Sequence, residues 1–129
     1  MVHSAFVYSA LALPSILICF GLNAIFRPDA HLKSLEFPVQ PTSHPELRKW
    51  SHALMRIWGI RNLSFGTLLV IIWHAGDMTL VGKALLVAIL LPVMDGWVSR
   101  KLTGGGELQH WMFPPILAFV AAGAMGYFD

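Results

Sequence analysis

The run from Ala53 to His74, ALMRIWGIRNLSFGTLLVIIWH, constrains this chain more than any other stretch. It is long and apolar enough to cross a bilayer, yet it carries Arg56, Arg61 and Asn62 in its first half. A guanidinium inside an apolar span is costly, and it normally faces an opposite charge or a wet cavity. The fold must therefore bring something polar to Arg61. Candidate partners have to come from other apolar runs, because Arg61 sits ~12 Å along the helix from Ala53 at the helical rise.

Three other apolar blocks exist, at 5–26, 80–99 and 108–128. Hydrophobic residues make up 56% of the chain and charged residues 12%, about half the charge of an ordinary soluble domain. A soluble all-α protein would have to bury four such blocks beneath too little polar surface. The expected fold is one all-α domain over 1–129, a four-helix transmembrane bundle with spans at 5–26, 53–74, 80–99 and 108–128. One longer polar loop joins helices 1 and 2. No Lys or Arg precedes the first block, so that block is expected to be a retained span rather than a cleaved leader. The loop carries Pro28, Pro38, Pro41 and Pro45. Its 30–39 segment could form a short surface helix or a lid, and a plain connection is the expectation. Ser43-His44-Pro45-Glu46 reads as the start of the second helix, ahead of the membrane. Pro14 is expected to kink its span, and Pro114-Pro115 to bend the last one or delay its regular part.

Basic residues set an orientation. Arg27, Lys33, Arg48, Lys49, Arg100 and Lys101 lie on one face of such a bundle, against Lys83, Asp77 and Asp129 on the other. The positive-inside rule puts the first face in the cytoplasm. Chain direction then places Asn23, Arg56, Arg61, Asp95 and His110 in the same half of the membrane, a polar cup closed by apolar packing. Arg61 and Asp95 are the natural ion pair, because arginine stays charged even in an unfavourable site. His110 could be a third member, since an ordinary histidine titrates near neutral pH unless desolvation or Asp95 shifts it. Each has a plainer reading: a register-fixing pair for Arg61–Asp95, a snorkelling side chain for Arg56, a helix-end residue for His110 and an interhelical hydrogen bond for Asn23. Trp50, Trp58, Trp73, Trp97 and Trp111 read as an interfacial belt, and His3, His31, His44 and His52 have no metal-ligand spacing. Cys19 is the only cysteine, so no internal disulfide can form. The net charge of +2 and the lack of a basic, aromatic-interleaved patch argue against nucleic acid.

The motif Gly59-Ile60-Arg61-Asn62-Leu63-Ser64-Phe65-Gly66, with Pro92-Val93-Met94-Asp95 and a histidine opening the last span, resembles a group of small four-span membrane proteins catalogued as a domain of unknown function. The resemblance covers about Ala53 to Phe128. It implies the four-helix fold, points to Arg61, Asp95 and His110, and implies members in bacteria and fungi, some encoded beside secondary-metabolite genes.

The functional expectation is a membrane-embedded tailoring enzyme for a lipophilic metabolite, in the endoplasmic reticulum or another endomembrane if the source is a eukaryote. Asp95 and His110 would exchange protons, and Arg61 would clamp developing negative charge. Asn62, Asn23 and Arg56 would bind substrate. No nucleotide, flavin, haem or metal motif is legible, so the expected reaction needs no cofactor: isomerisation, cyclisation or epoxide opening, with cofactor-free oxygenation as a further candidate. The rival class is a non-catalytic scaffold or transporter subunit. In either case the small residues Ala121-Ala122-Gly123-Ala124 offer a face for a homo-oligomer.

Overall fold

The computed structural model describes residues 2–128; Met1 and Asp129 lie outside the described residues. Seven helical segments and no strand occur among them. They are α1 (Ser4–Phe26), α2 (Pro28–Ser34), α3 (Pro45–His74), α4 (Met78–Ala88), α5 (Leu90–Thr103), α6 (Leu108–Trp111) and α7 (Phe113–Ala124).

Three helices are long and apolar enough to cross a membrane: α1, α3, and α4 continued by α5. Large apolar side chains such as Phe26, Ile57, Ile71, Val87 and Leu90 are exposed along them. Water would not tolerate so much apolar surface on a small domain, and hydrocarbon would. These features point to a membrane protein. The fourth apolar block differs from a single continuous span over 108–128. It is broken into α6 and α7, and its last residues form turns.

Proline chemistry explains both breaks. Pro92 has no N–H for the carbonyl four residues back, Ala88, and its ring crowds that carbonyl. Helix α4 ends at Ala88. Pro114 and Pro115 stand in the same relation to His110 and Trp111, and α6 ends at Trp111. Pro14, buried in the middle of α1, leaves that helix continuous.

The expected plain connection after α1 contains a helix. In α2, Pro28 sits at the first turn with Asp29 beside it, both favourable at a helix start. The helix closes with two backbone bonds, Phe37 N–H to the Leu32 carbonyl (2.9 Å) and Glu36 N–H to the Lys33 carbonyl (3.1 Å). That closure needs a left-handed residue, which is usually glycine; here it is Glu36, at φ 61°. Leu32 and Phe37 then pack in one cluster with Ala24, Leu35, Met55, Val39 and Trp58. A hydrophobic periodicity hidden by four prolines thus becomes a small apolar cap over the end of α1 and α3. As the sequence indicated, α3 starts at Pro45, with His44 as the residue before it.

Helix α1 packs along α3 through glycines. A Cβ on Gly21 would stand 2.7 Å from the Gly59 carbonyl oxygen, and one on Gly59 would stand 2.8 Å from that of Gly21. Gly66 meets the Pro14 carbonyl in the same way. Small residues let the backbones approach this closely. The second packed pair is α4 with α7, where Gly82 lies against Ala121 and Met125. Ala121, Gly123 and Ala124 are buried by these contacts and by Phe6. The small-residue stretch of α7 is therefore used inside the chain. Leu69, Val81, Leu85, Leu117 and Val120 complete the core between the pairs.

One neighbouring pair does not close. The backbone of α5 nowhere comes near that of α3. A gap runs between them, and side chains cross it.

Candidate functional site

Asp95, on the second turn of α5, reaches across that gap. Its Oδ2 accepts two hydrogen bonds, from Arg61 Nη2 at 2.6 Å and from Trp58 Nε1 at 3.0 Å. Both donors stand on one face of α3, three residues apart. The guanidinium also lies over the Trp58 ring, 5.6 Å from its centroid, a cation–π distance. The charges balance, and the pair is only partly dry, with Arg61 37% and Asp95 14% exposed at the side chain. Oδ1 of Asp95 accepts no hydrogen bond among the described residues, so half of the carboxylate remains available.

Two cavities meet at this point. The inner one, about 70 Å³, runs into the bundle core beside Asn62, Leu69, Leu85, Ala88 and Leu117. The outer one, about 350 Å³, opens along the gap between Leu54 and Met55 of α3 and Val98 and Leu102 of α5, roofed by Leu32 and Phe37. Leu35, Trp58, Asp95 and His110 line both. The walls are almost wholly apolar apart from these groups, as in small-molecule sites with a few orienting polar contacts.

The polar groups are incompletely satisfied. Asn62 and His110, 2% and 5% exposed, line the inner cavity. Asn62 Nδ2 and His110 Nε2 have no hydrogen-bond partner among the described residues, nor has Arg61 Nε. A buried polar atom without a partner costs about 1–3 kcal/mol. Several in one place are a standing incentive to bind something.

His31, which the sequence left unassigned, belongs to this cluster. It is 2% exposed and lies 4.7 Å from the Trp58 ring, centroid to centroid. Asn23 Nδ2 and His31 Nδ1 are 2.9 Å apart. With the amide donating, the neutral ring keeps its proton on Nε2, which is also unpartnered. Burial pushes the His31 pKa down, and the nearby His110 pushes it the same way. Helix α2 is held over this layer by Asp29, whose carboxylate accepts from Arg48 (2.5 Å) and pairs with His52 (2.6 Å). Those hydrogen bonds, His52 first and then Arg48, hold the Asp29 carboxyl below its usual range.

The expected residues thus divide. Asn62, Asp95 and His110 line the inner cavity, and Arg61, which lines neither cavity, is tied to it through Asp95. Asn23 acts one step away, on His31. Arg56 is on another face of α3, where its Nε donates to the Ile25 carbonyl at 3.3 Å; it lines a separate basic cleft with Arg48, Lys49 and His52. Trp58 departs from the interfacial-belt expectation, and its spacing from Arg61 was the signal available for it. Only the fold of α2 reveals His31. Cys19 is exposed on α1, away from the site. Among the described residues, no group of three His, Cys, Asp or Glu side chains could hold a metal ion.

Comparison with known proteins gives a family and no relative of known activity. A family model described as a domain of unknown function, DUF4267, matches residues 15–124. The match takes in most of α1 and the α2 segment as well as the glycine-arginine motif. No curated protein and no solved structure matches.

Proposed function

We propose that this chain, which belongs to the DUF4267 family, is a four-span membrane enzyme that transforms a lipophilic small molecule by acid–base chemistry. The observation that carries the reading is that Asp95 and His110 line the shared wall of an inner cavity and of the outer gap between α3 and α5, which in this reading opens to the bilayer. A substrate dissolved in lipid can reach both groups without crossing water. Asp95 offers a free carboxylate oxygen, His110 an unpartnered Nε2, and Arg61 a charge fixed by its bond to Asp95. A proton can leave the substrate to one and arrive from the other. The fourth crossing in this reading is α6 with α7, whose break at Met112 places His110 at the polar level. Isomerisation, cyclisation and epoxide opening all fit such a pair. In a eukaryote the proposed location is the endoplasmic reticulum or another endomembrane, and a role in tailoring secondary metabolites follows from the substrate's character.

The second reading is a non-catalytic carrier, favoured by the open gap between α3 and α5. Metabolite profiling of an Asp95→Asn strain beside a deletion strain and wild type separates the two, with protein abundance checked by blot. The enzyme reading expects the mutant and the deletion to accumulate the same compound while the protein stays abundant. Wild-type metabolites with abundant mutant protein would leave the carrier reading standing and remove the enzyme reading.

A further inference from the structure

The shape and the unmet hydrogen bonds of the same site narrow what it can hold. Two unpartnered atoms belong to residues lining the inner cavity: Asn62 Nδ2, which carries hydrogens, and His110 Nε2. Asp95 lines both cavities, with one oxygen doubly engaged by Arg61 and Trp58 and the other free to act as a base. What Asn62 lacks is an acceptor. A carbonyl oxygen supplies two lone pairs and no hydrogen.

Geometry limits the rest of the molecule. From Asn62 to Leu69 on α3, and from His110 to Leu117 on α6 and α7, the cavity wall advances seven residues, ~10 Å at the helical rise. Leu69, Leu85, Leu117, Leu13 and Leu17 close round that depth with no polar atom among their side chains. The inner cavity, about 70 Å³, is several times smaller than the gap outside it, and these leucines form its far wall. We infer that the site takes a ketone or related enolisable carbonyl compound on an unbranched apolar chain, the carbonyl held at Asn62 and His110 and the chain in the inner cavity. This assignment rests on the acid–base reading of the site and gives it a substrate class.

The chemistry balances without a further reactant. The C–H bond next to the carbonyl breaks, its proton passes to Asp95 Oδ1, and the electron pair moves to the carbonyl oxygen, which takes a proton from His110 Nε2. Return of a proton to a carbon and of the other to His110 completes an isomerisation with no net oxidation.

The test uses the full chain in phospholipid nanodiscs, with empty discs as background, and nonan-2-one as the probe. Saturable binding is expected. Nonane, which lacks the acceptor, and a fused-ring ketone of similar hydrophobicity should each bind at least about tenfold more weakly. Asn62→Leu should cost about tenfold in affinity for the ketone. Ala88→Phe, which fills the inner cavity, should abolish binding, while Leu68→Ala on the outer surface leaves it unchanged. Absence of saturable binding to wild type overturns the assignment. So does nonane or the ring ketone binding within about twofold of the probe. These ligand comparisons stand even if a variant fails to fold. In heavy water, wild type should also exchange the hydrogens beside the carbonyl, read as a mass increase, and Asp95→Asn should not. Binding without exchange keeps the ligand class and removes the acid–base step, so the two inferences fail separately.

Discussion

Asp95 carries two hydrogen bonds on one oxygen and none on the other, which sets what each neighbour contributes. Removing the carboxylate strands the Arg61 charge at the edge of an apolar gap. Asp95→Leu should therefore destabilise the protein by about 1–3 kcal/mol, less than for a fully buried pair because Arg61 is partly exposed. Adding Arg61→Leu should recover part of the loss. Unfolding of the two single variants and the double variant in detergent checks this, and strict additivity would show that the pair is not coupled. His31 makes a pH prediction. Its folded pKa lies below the ordinary value of 6.5, so the unfolded chain binds the proton more readily. The docking of α2 is fully stable above that value. It weakens as pH falls through 6.5 toward the folded pKa, where the loss levels off. The groups facing His31 are Asn23, Phe20, Trp58 and His110, and protonation of His110 adds in the same direction. Asp29, held low by His52 and Arg48, stays ionised throughout that window. Hydrogen exchange of the Leu32–Leu35 amides, corrected for intrinsic rate, should quicken below neutrality; an unchanged protection would remove His31 from this role. At this scale the sequence was informative wherever a charge sat in an apolar run, since Arg61, Asp95 and Asn62 are conspicuous there. It was silent on His31, because nothing about a histidine in a proline-rich segment says that the segment folds back over Trp58.

Among the elements, helix α3 depends on having no side chain at Gly59. Alanine there would gain up to ~1 kcal/mol in helix propensity. The added carbon would stand 2.8 Å from the Gly21 carbonyl oxygen and 2.9 Å from Ile25, so a backbone would have to move. Overpacking of this kind costs about 1–3 kcal/mol, and Gly59→Ala should lower the thermal midpoint in detergent. The opposite sign is expected at Glu36, a non-glycine residue at φ 61° closing α2. Glu36→Gly relieves about 1 kcal/mol of left-handed strain. The gain is reduced by the lost 3.3 Å bond from Gln109 to the Glu36 carboxylate. A higher midpoint in the same assay checks it. The start of α3 at Pro45 and the irregular start of the last apolar block at Pro114 were legible, because proline acts through its own backbone. Helix α2 was not, since its closure uses a glutamate where the sequence signal is normally glycine.

For the molecule as a whole, the basic residues predict an orientation. In a Cys19→Ser background, Ser43→Cys in the loop before α3 should react with an impermeant thiol reagent from the cytoplasmic side. Thr79→Cys at the start of α4 should react from the opposite side. Reversed labelling would invert the polar cup, and labelling of both from one side would exclude the four-span arrangement. Composition made membrane residence legible, yet not the pairing of helices. That depends on which glycines meet: Gly21 with Gly59, Gly66 with Pro14 and Gly82 with Ala121. All three contacts lie in the α1–α3 and α4–α7 pairs, and none lies between α3 and α5.

That unclosed seam exposes the protein to the mechanics of its surroundings. Lateral pressure in a bilayer acts on every gap between helices, and here it works against a single carboxylate bridge rather than a zipper of backbone contacts. Thickness and acyl-chain packing should then tune the width of the seam as a spring is tuned by its load. The indole of Trp58, bonded at the bridge, would report that width as a shift in its emission between thin and thick membranes.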